Sequence, residues 1–249
     1  MRRNRSGTVA GRGPVVEALR AGVPATDLYV ARGVRDARIR EAVGAAERAG
    51  IPVVATSRQE LDALVGGHHQ GVAMRLREHG YADPDDLLLR AEEAGEPPLV
   101  VALDGITDPH NLGAVVRSVA AFGGHGVVVP GHRSAGVGVG AWKASAGTLA
   151  HVPVGRAPNL TRVLERYQRR GLFVAGLAAT GAVSLAELEV AVDPLVLVLG
   201  AEGRGLSRVA AKACDVLVTI PMAGRAESLN ASVAAGIALY EIARRRRAQ

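Results

Sequence analysis

The chain of 249 residues has one cysteine, Cys214. An intramolecular disulfide is excluded, and that usage fits a reducing compartment. Aromatic residues are only 3% of the sequence, too few for a sheet that reads RNA by stacking bases on paired aromatics. No apolar run reaches the roughly 20 residues that span a bilayer, so no membrane partner is expected. Residues 1–13 are basic and polar with no apolar stretch behind them, which predicts no secretory leader and a cytoplasmic protein. Seven histidines are present, but none stands at a ligand spacing with cysteine or carboxylate. No metal site is expected. Lysine is scarce too: Lys143 and Lys212 are the only two among 30 basic residues.

What is present is arginine, in blocks. Residues 1–79 carry 13 basic and 8 acidic side chains, and residues 99–249 carry 16 and 10. Between them, residues 80–98 carry 1 basic and 6 acidic. Two basic blocks joined by an acidic connector suggest two surfaces for a polyanion. Arginine suits that task because its guanidinium pairs bidentately with phosphate and stacks on bases. A merely solvated surface fits the same counts.

Periodicity divides the chain at the same places. Residues 1–79 alternate short helical and extended segments: a helix over 14–21, strand DLYVA, a helix over 36–49, strand IPVVA, a helix over 57–65 and strand GVAMRL. Ser57 and Glu60 stand at capping-box spacing. This describes a small α/β domain. Residues 80–98 hold Asp-Pro, Gly and Pro-Pro around one acidic helix over 85–94, and read as a linker. Residues 99–249 contain the apolar runs LVVAL, GVVVP, LFVAGL, PLVLVLG and VLVTIP between helical segments. Uninterrupted apolar runs predict a parallel sheet covered on both faces, in a doubly wound α/β domain. Leu229, Val233, Gly236, Ile237 and Tyr240 fall at helical spacing and are expected to form the buried face of the last helix. The run Arg244–Arg247 after them reads as a charged tail, solvated or adding affinity for phosphate.

Three strand-to-helix junctions in the second block place polar residues where packing alone would not. The first is LVVALDGITDPHNLGAVVRSVAAFG, which holds Asn111 and Arg117. Asn111 reads either as a helix cap or as a ligand group, and Arg117 as a surface arginine or as a site residue beside the apolar stripe. The second is PLVLVLGAEGRGLS. A dinucleotide fingerprint would need glycine where Glu202 stands, so a dehydrogenase reading fails. A tight glycine turn that approaches a ligand through its backbone fits, with Glu202 as a loop organiser. The third is IPMAGRAESLNASVAAGIALYEIA, where Glu227, Ser228, Leu229 and Asn230 open a helix. They serve as cap and core, or as ligand chemistry at the helix dipole. The stretch GVGVGAWKASAGT lacks phosphate-loop spacing and reads as a loop and helix at the rim of the site. Trp142 within it is a packing residue or a stacking platform.

In order and spacing, these junctions resemble the three signature motifs of the SpoU/TrmH family, RNA ribose 2′-O-methyltransferases of the SPOUT superfamily. Asn111, Gly113 and Arg117 carry the first, and Gly200, Glu202 and Gly205 the second. Ile220, Pro221, Met222, Ser228, Leu229 and Asn230 carry the third. The resemblance covers residues 99 to about 243. GRGPVVEALRAG and HHQGVAMRL look like the small substrate-binding domain of the branch that methylates a guanosine of large-subunit (23S) ribosomal RNA.

The resemblance implies a catalytic domain with a trefoil-knotted parallel sheet, and S-adenosyl-L-methionine as methyl donor. It implies cofactor contacts at Gly200, Ile220, Met222, Ser228 and Leu229. It implies catalytic roles for Asn111, Arg117, Glu202 and Asn230. Arg117 would activate the hydroxyl and stabilise negative charge, Asn111 and Asn230 would orient the hydroxyl and loop, and Glu202 would buttress Arg117 or the loop. It implies a homodimer through the last helix, with RNA as partner. Transfer RNA, a resistance site on ribosomal RNA and non-catalytic RNA binding stay open as alternatives. Arg225, a charge beside the expected cofactor loop, departs from the pattern.

Overall fold

A computed structural model describes residues 7–224 and 228–248. The expectations for Arg225 and Glu227 lie outside the described residues. The chain forms two compact units, divided between Gly80 and Tyr81. Among the described residues no helix is long and apolar enough to cross a membrane.

The first unit runs β1 (Thr8–Ala10), α1 (Arg12–Arg20), β2 (Ala25–Ala31), α2 (Ala37–Arg48), β3 (Val53–Thr56), α3 (Arg58–Val65) and β4 (Val72–Leu76). Its sheet has the order β1-β4-β2-β3. The capping box holds: Ser57 Oγ accepts from Glu60 N, and the Glu60 carboxylate accepts from Ser57 N at 2.8 Å. Bonds donated to the carboxylate by the Thr56 hydroxyl, then by Ser57 N and the Ser57 hydroxyl, hold the Glu60 pKa down at about 2. Of the adjacent pair His68 and His69, the first is exposed and the second buried.

The second unit runs α4 (Asp86–Ala94), β5 (Leu99–Asp104), α5 (Pro109–Ala121), β6 (Gly126–Pro130), α6 (Val139–Ala144), β7 (Val154–Ala157), α7 (Leu160–Arg169), β8 (Phe173–Leu177), β9 (Val183–Ser184), β10 (Leu195–Gly200), α8 (Arg208–Lys212), β11 (Val216–Thr219) and α9 (Ala231–Arg246). Its strands lie in the order β7-β6-β5-β10-β8-β11-β9, and every pairing is parallel. The central strands β5 and β10 are buried along nearly their whole length, as their uninterrupted apolar runs require. All the parallel strands end at one edge. The chain is crowded there: a Cβ on Gly181 would stand 2.6 Å from the Val218 carbonyl carbon, and one on Gly200 would stand 2.1 Å from that of Gly205.

Three features depart from the sequence reading. Of the stretch 80–98, expected to be a linker, all but Gly80 belongs to the second unit. Leu87 of α4 is fully buried and lies where a Cβ on Gly126 would fall. Tyr167 of α7 donates its hydroxyl to the Pro84 carbonyl, and Arg166 Nε donates to Asp85 at 2.9 Å. Some of the acidic charge is thus paired within the unit, and burial of Leu87 alone contributes about 2 kcal/mol.

The last helix is turned relative to expectation. Its buried residues are Ala231, Ala235, Ala238, Leu239, Ile242 and Ala243, while Val233, Ile237 and Tyr240 are exposed. The helix lies close against α5: a Cβ on Gly236 would stand 3.6 Å from Ser118 Oγ. Alanine and glycine permit that approach, and valine or tyrosine would not.

Nor is the arginine run a free tail. Arg246 donates to the carbonyls of Pro97, Pro98, Ala191 and Asp193 at 2.6–3.2 Å. Arg245 donates to those of Ala186 and Leu188. Together they fasten the end of α9 to the segments that enter β5 and β10.

Candidate active site

The edge where the strands end is the place at which open α/β sheets bind ligands. Here the loops after β8, β10 and β11 enclose a cavity of about 500 Å³, within the usual range for a small-molecule site. Leu177–Thr180 form one wall and Leu199–Leu206 another; Ile220, Met222, Ser228 and Leu229 close it. Gly200, Glu202, Ile220, Met222, Ser228 and Leu229, drawn from two separate sequence motifs, therefore meet at one cavity.

The wall over 200–206 is a closed loop. Gly205 N donates to Ala201 O at 2.7 Å, and Ala201 and Gly205 form an antiparallel bridge. Gly203 and Gly205 adopt φ of 72° and 65°, which glycine tolerates without a Cβ penalty. Asp104, at the end of β5, accepts from Ser207 N at 2.6 Å and so fixes the exit of the loop. A side chain on Gly200 has no room, because the backbone of Gly205 and Leu206 occupies the position of its Cβ.

One carboxylate oxygen joins the three motifs. Glu202 Oε1 accepts from Asn111 Nδ2 at 2.9 Å, from Asn230 Nδ2, and from Ala231 N at 3.4 Å. Asn230 Nδ2 also donates to Asn111 Oδ1 at 3.0 Å. Asn111 is buried on the first turn of α5. It does not cap that helix: Asp108 does, accepting from His110 N at 2.9 Å. Asn230 does act as a cap. Its Oδ1 accepts from Ser232 N at 2.9 Å and Val233 N at 3.2 Å, while its Nδ2 faces Asn111 and Glu202. The helix starts at Ala231, so Ser228 and Leu229 precede it rather than form its first turn.

Arg117 stands apart. It is exposed on α5, does not line the cavity, and has no hydrogen-bond or ion-pair partner among the described residues. Glu202 therefore organises the asparagines and the loop, not Arg117. Trp142 is buried, which makes it a packing residue.

Sequence reasoning overlooked Leu177–Thr180, Asp104 and Arg204. Leu177 ends β8, which neighbours β10 in the sheet, and Ala178–Thr180 follow it, but strand order is not visible in a linear pattern. Asp104 and Arg204 lie inside the first and second junctions, where no spacing marks them.

The chain matches the SpoU rRNA Methylase family over residues 98–240. It matches the RNA 2′-O ribose methyltransferase substrate-binding family over residues 8–82. A Mycobacterium avium protein named an uncharacterized tRNA/rRNA methyltransferase is 57% identical over 243 residues, covering 96% of this chain and 78% of that one. Among solved structures, the SpoU methyltransferase AviRb from Streptomyces viridochromogenes, in complex with AdoMet, is similar with a TM-score of 0.70 at 28% identity. That match covers 96% of this chain and 90% of AviRb. An AdoMet-bound rRNA methyltransferase from Sinorhizobium meliloti has a TM-score of 0.64 at 27% identity, covering 97% of this chain and 88% of that one.

Proposed function

Since the chain belongs to the SpoU rRNA methylase family, and is thus an RNA methyltransferase, we propose that it methylates a ribose 2′-hydroxyl, on a guanosine of 23S ribosomal RNA, with S-adenosyl-L-methionine held in the cavity beyond β8, β10 and β11. The observation that carries this reading is the joint made by Asn111, Glu202 and Asn230, which ties all three motifs to one cavity wall.

The cavity suits the cofactor. Its walls are backbone and apolar side chains such as Leu199, Leu217 and Leu229, fit for a purine, and among the described residues its charged lining is Glu202 and Arg204, fit for an amino-acid end. When bound, S-adenosyl-L-methionine supplies an electrophilic methyl group on sulfur. Gly200, Ile220, Met222, Ser228 and Leu229 hold it, mainly through backbone groups.

The residues of the chain must then position the hydroxyl and accommodate the charge that develops on its oxygen. Asn111 and Asn230 are fixed by Glu202, so neither must be ordered on substrate binding. Arg117 supplies the positive charge. A guanidinium holds its proton too tightly to serve as a base, so the role of Arg117 is to stabilise the forming oxyanion and hold an RNA phosphate.

Arg117 reaches a cavity in a second copy of the chain. Support comes from the exposed stripe Val233, Ile237 and Tyr240 on α9, next to α5, where Phe122 meets Tyr240 edge-on at 5.8 Å. An exposed apolar stripe, with Arg117 unpaired among the described residues, suits the contact surface of a two-fold homodimer. The crowding at Gly181 and Gly200 supports the trefoil knot implied by the family resemblance. The first unit supplies RNA affinity.

Mixing tests the arrangement. Arg117→Ala and Asn230→Ala chains should each be inactive, and the mixed population should regain methyl transfer through hybrid dimers. No recovery after exchange of subunits, confirmed by mass, would place Arg117 and the cavity on the same chain. A monomer by light scattering with full activity would remove the dimer.

A further inference from the structure

Among the described residues lining the cavity, the charged ones are Glu202 and Arg204. Glu202 Oε1 is already engaged by two asparagines and a backbone N–H. Arg204 is different. It is exposed, and among the described residues it has no hydrogen-bond or ion-pair partner.

Its backbone, by contrast, is fixed. Arg204 sits between Gly203 and Gly205, both left-handed, inside the loop closed by the Ala201–Gly205 bridge. The loop is pinned on one side by the asparagines on Glu202 and on the other by Asp104 on Ser207 N. A flexible cation on a rigid base loses only its own rotamer freedom on binding an anion. The guanidinium fork matches a carboxylate bidentately.

We propose that Arg204 is a cofactor-binding residue that pairs with the carboxylate of the α-amino-acid end of S-adenosyl-L-methionine. This rests on reading the cavity as the cofactor site. An amino-acid end carries an anion, and among the described residues of the lining Arg204 is the cation that faces it without a partner of its own. An RNA phosphate would present similar chemistry to the guanidinium. The carboxylate is favoured because Arg204 lines the same cavity as Ser228 and Leu229, whereas Arg117 faces solvent outside it.

The test is calorimetry on the full chain with S-adenosylmethionine and with decarboxylated S-adenosylmethionine, which keeps the amine. Arg204→Gln should weaken S-adenosylmethionine by roughly ten-fold or more, as expected for a charged hydrogen-bonded pair. It should leave the decarboxylated compound unchanged. Arg204→Lys should fall between, because an ammonium keeps the charge without the fork. Equal losses for both compounds, or no loss for either, would overturn the assignment. If Arg204→Gln spares both compounds but weakens binding to total ribosomal RNA and flattens its salt dependence, the anion is a phosphate and the assignment falls. If the native chain binds neither compound, the cofactor-site reading itself fails, and the assignment with it.

Discussion

Asn230 Nδ2 donates to Asn111 Oδ1 at 3.0 Å, joining residues 119 positions apart. The same Asn230 caps α9 through Oδ1. One side chain thus fixes the start of a helix and one corner of the cavity, and the two roles can be separated. Asn230→Asp keeps the cap oxygen and sets a second carboxylate against Glu202. Helix content by circular dichroism should stay near native while methyl transfer falls about ten-fold or more. Asn230→Ala removes both roles, and should in addition lose about 1 kcal/mol of unfolding free energy.

Gly200 is required by space. Alanine there would place Cβ 2.1–2.3 Å from the backbone of Gly205 and Leu206. Gly200→Ala should lower the melting temperature and weaken cofactor binding together, because the loop must shift to admit the methyl group. Gly224 has no atom of the described residues within 4 Å of its Cβ position. Gly224→Ala should stay within about 0.5 kcal/mol of native. Equal behaviour of the two variants would remove the steric argument.

His125 gives the second unit a pH dependence. Its Nδ1 accepts from Leu99 N at 3.1 Å and its Nε2 faces Glu96 at 3.3 Å, with the ring buried. Burial lowers its pKa, and Arg246 lowers it further, against the opposing pull of Glu96. A histidine that resists protonation when folded leaves stability intact above the unfolded value, about 6.5. Stability is then lost as pH falls from there toward the lowered folded value, because the unfolded chain takes up the proton first. Urea unfolding at pH 7.5 and 5.5 should show that loss, and His125→Gln should reduce it.

Arg246 bonds four carbonyls that would otherwise lack this partner. Arg246→Met keeps much of the side-chain volume and removes the donors. It should cost roughly 2 kcal/mol or more in chemical denaturation. Arg247→Met, on an exposed residue at the helix end, should be close to neutral.

How much of this was legible in the chain depends on the kind of signal. Uninterrupted runs such as PLVLVLG announced the central strands, because a strand buried on both faces has no polar positions. β1, β7 and β9 are two to four residues long, too short for a pattern to emerge, and β7 contains an outward Arg156. The last helix is apolar on both sides, so its spacing alone does not say which side faces inward. Size settles its orientation: Ala231, Ala235 and Ala238 face inward since α5 lies close. Arg245 and Arg246 looked solvated because their acceptors are carbonyls some 50 to 150 residues away. At the site, the motifs singled out Asn111, Glu202 and Asn230 individually. That a single carboxylate oxygen joins them is a fact of the fold. The separation of Arg117 from the cavity is equally invisible in a spacing of six residues on one helix.

The central claim concerns the atom that receives the methyl group. The direct measurement is transfer of isotopically labelled methyl from S-adenosyl-L-methionine to ribosomal RNA by the full chain, followed by nuclease digestion and mass spectrometry of the nucleosides. The expected result is a single 2′-O-methylated guanosine from 23S RNA, absent with Arg117→Ala although cofactor binding persists. Label on a base, or none on any RNA by a chain that binds the cofactor, would contradict it.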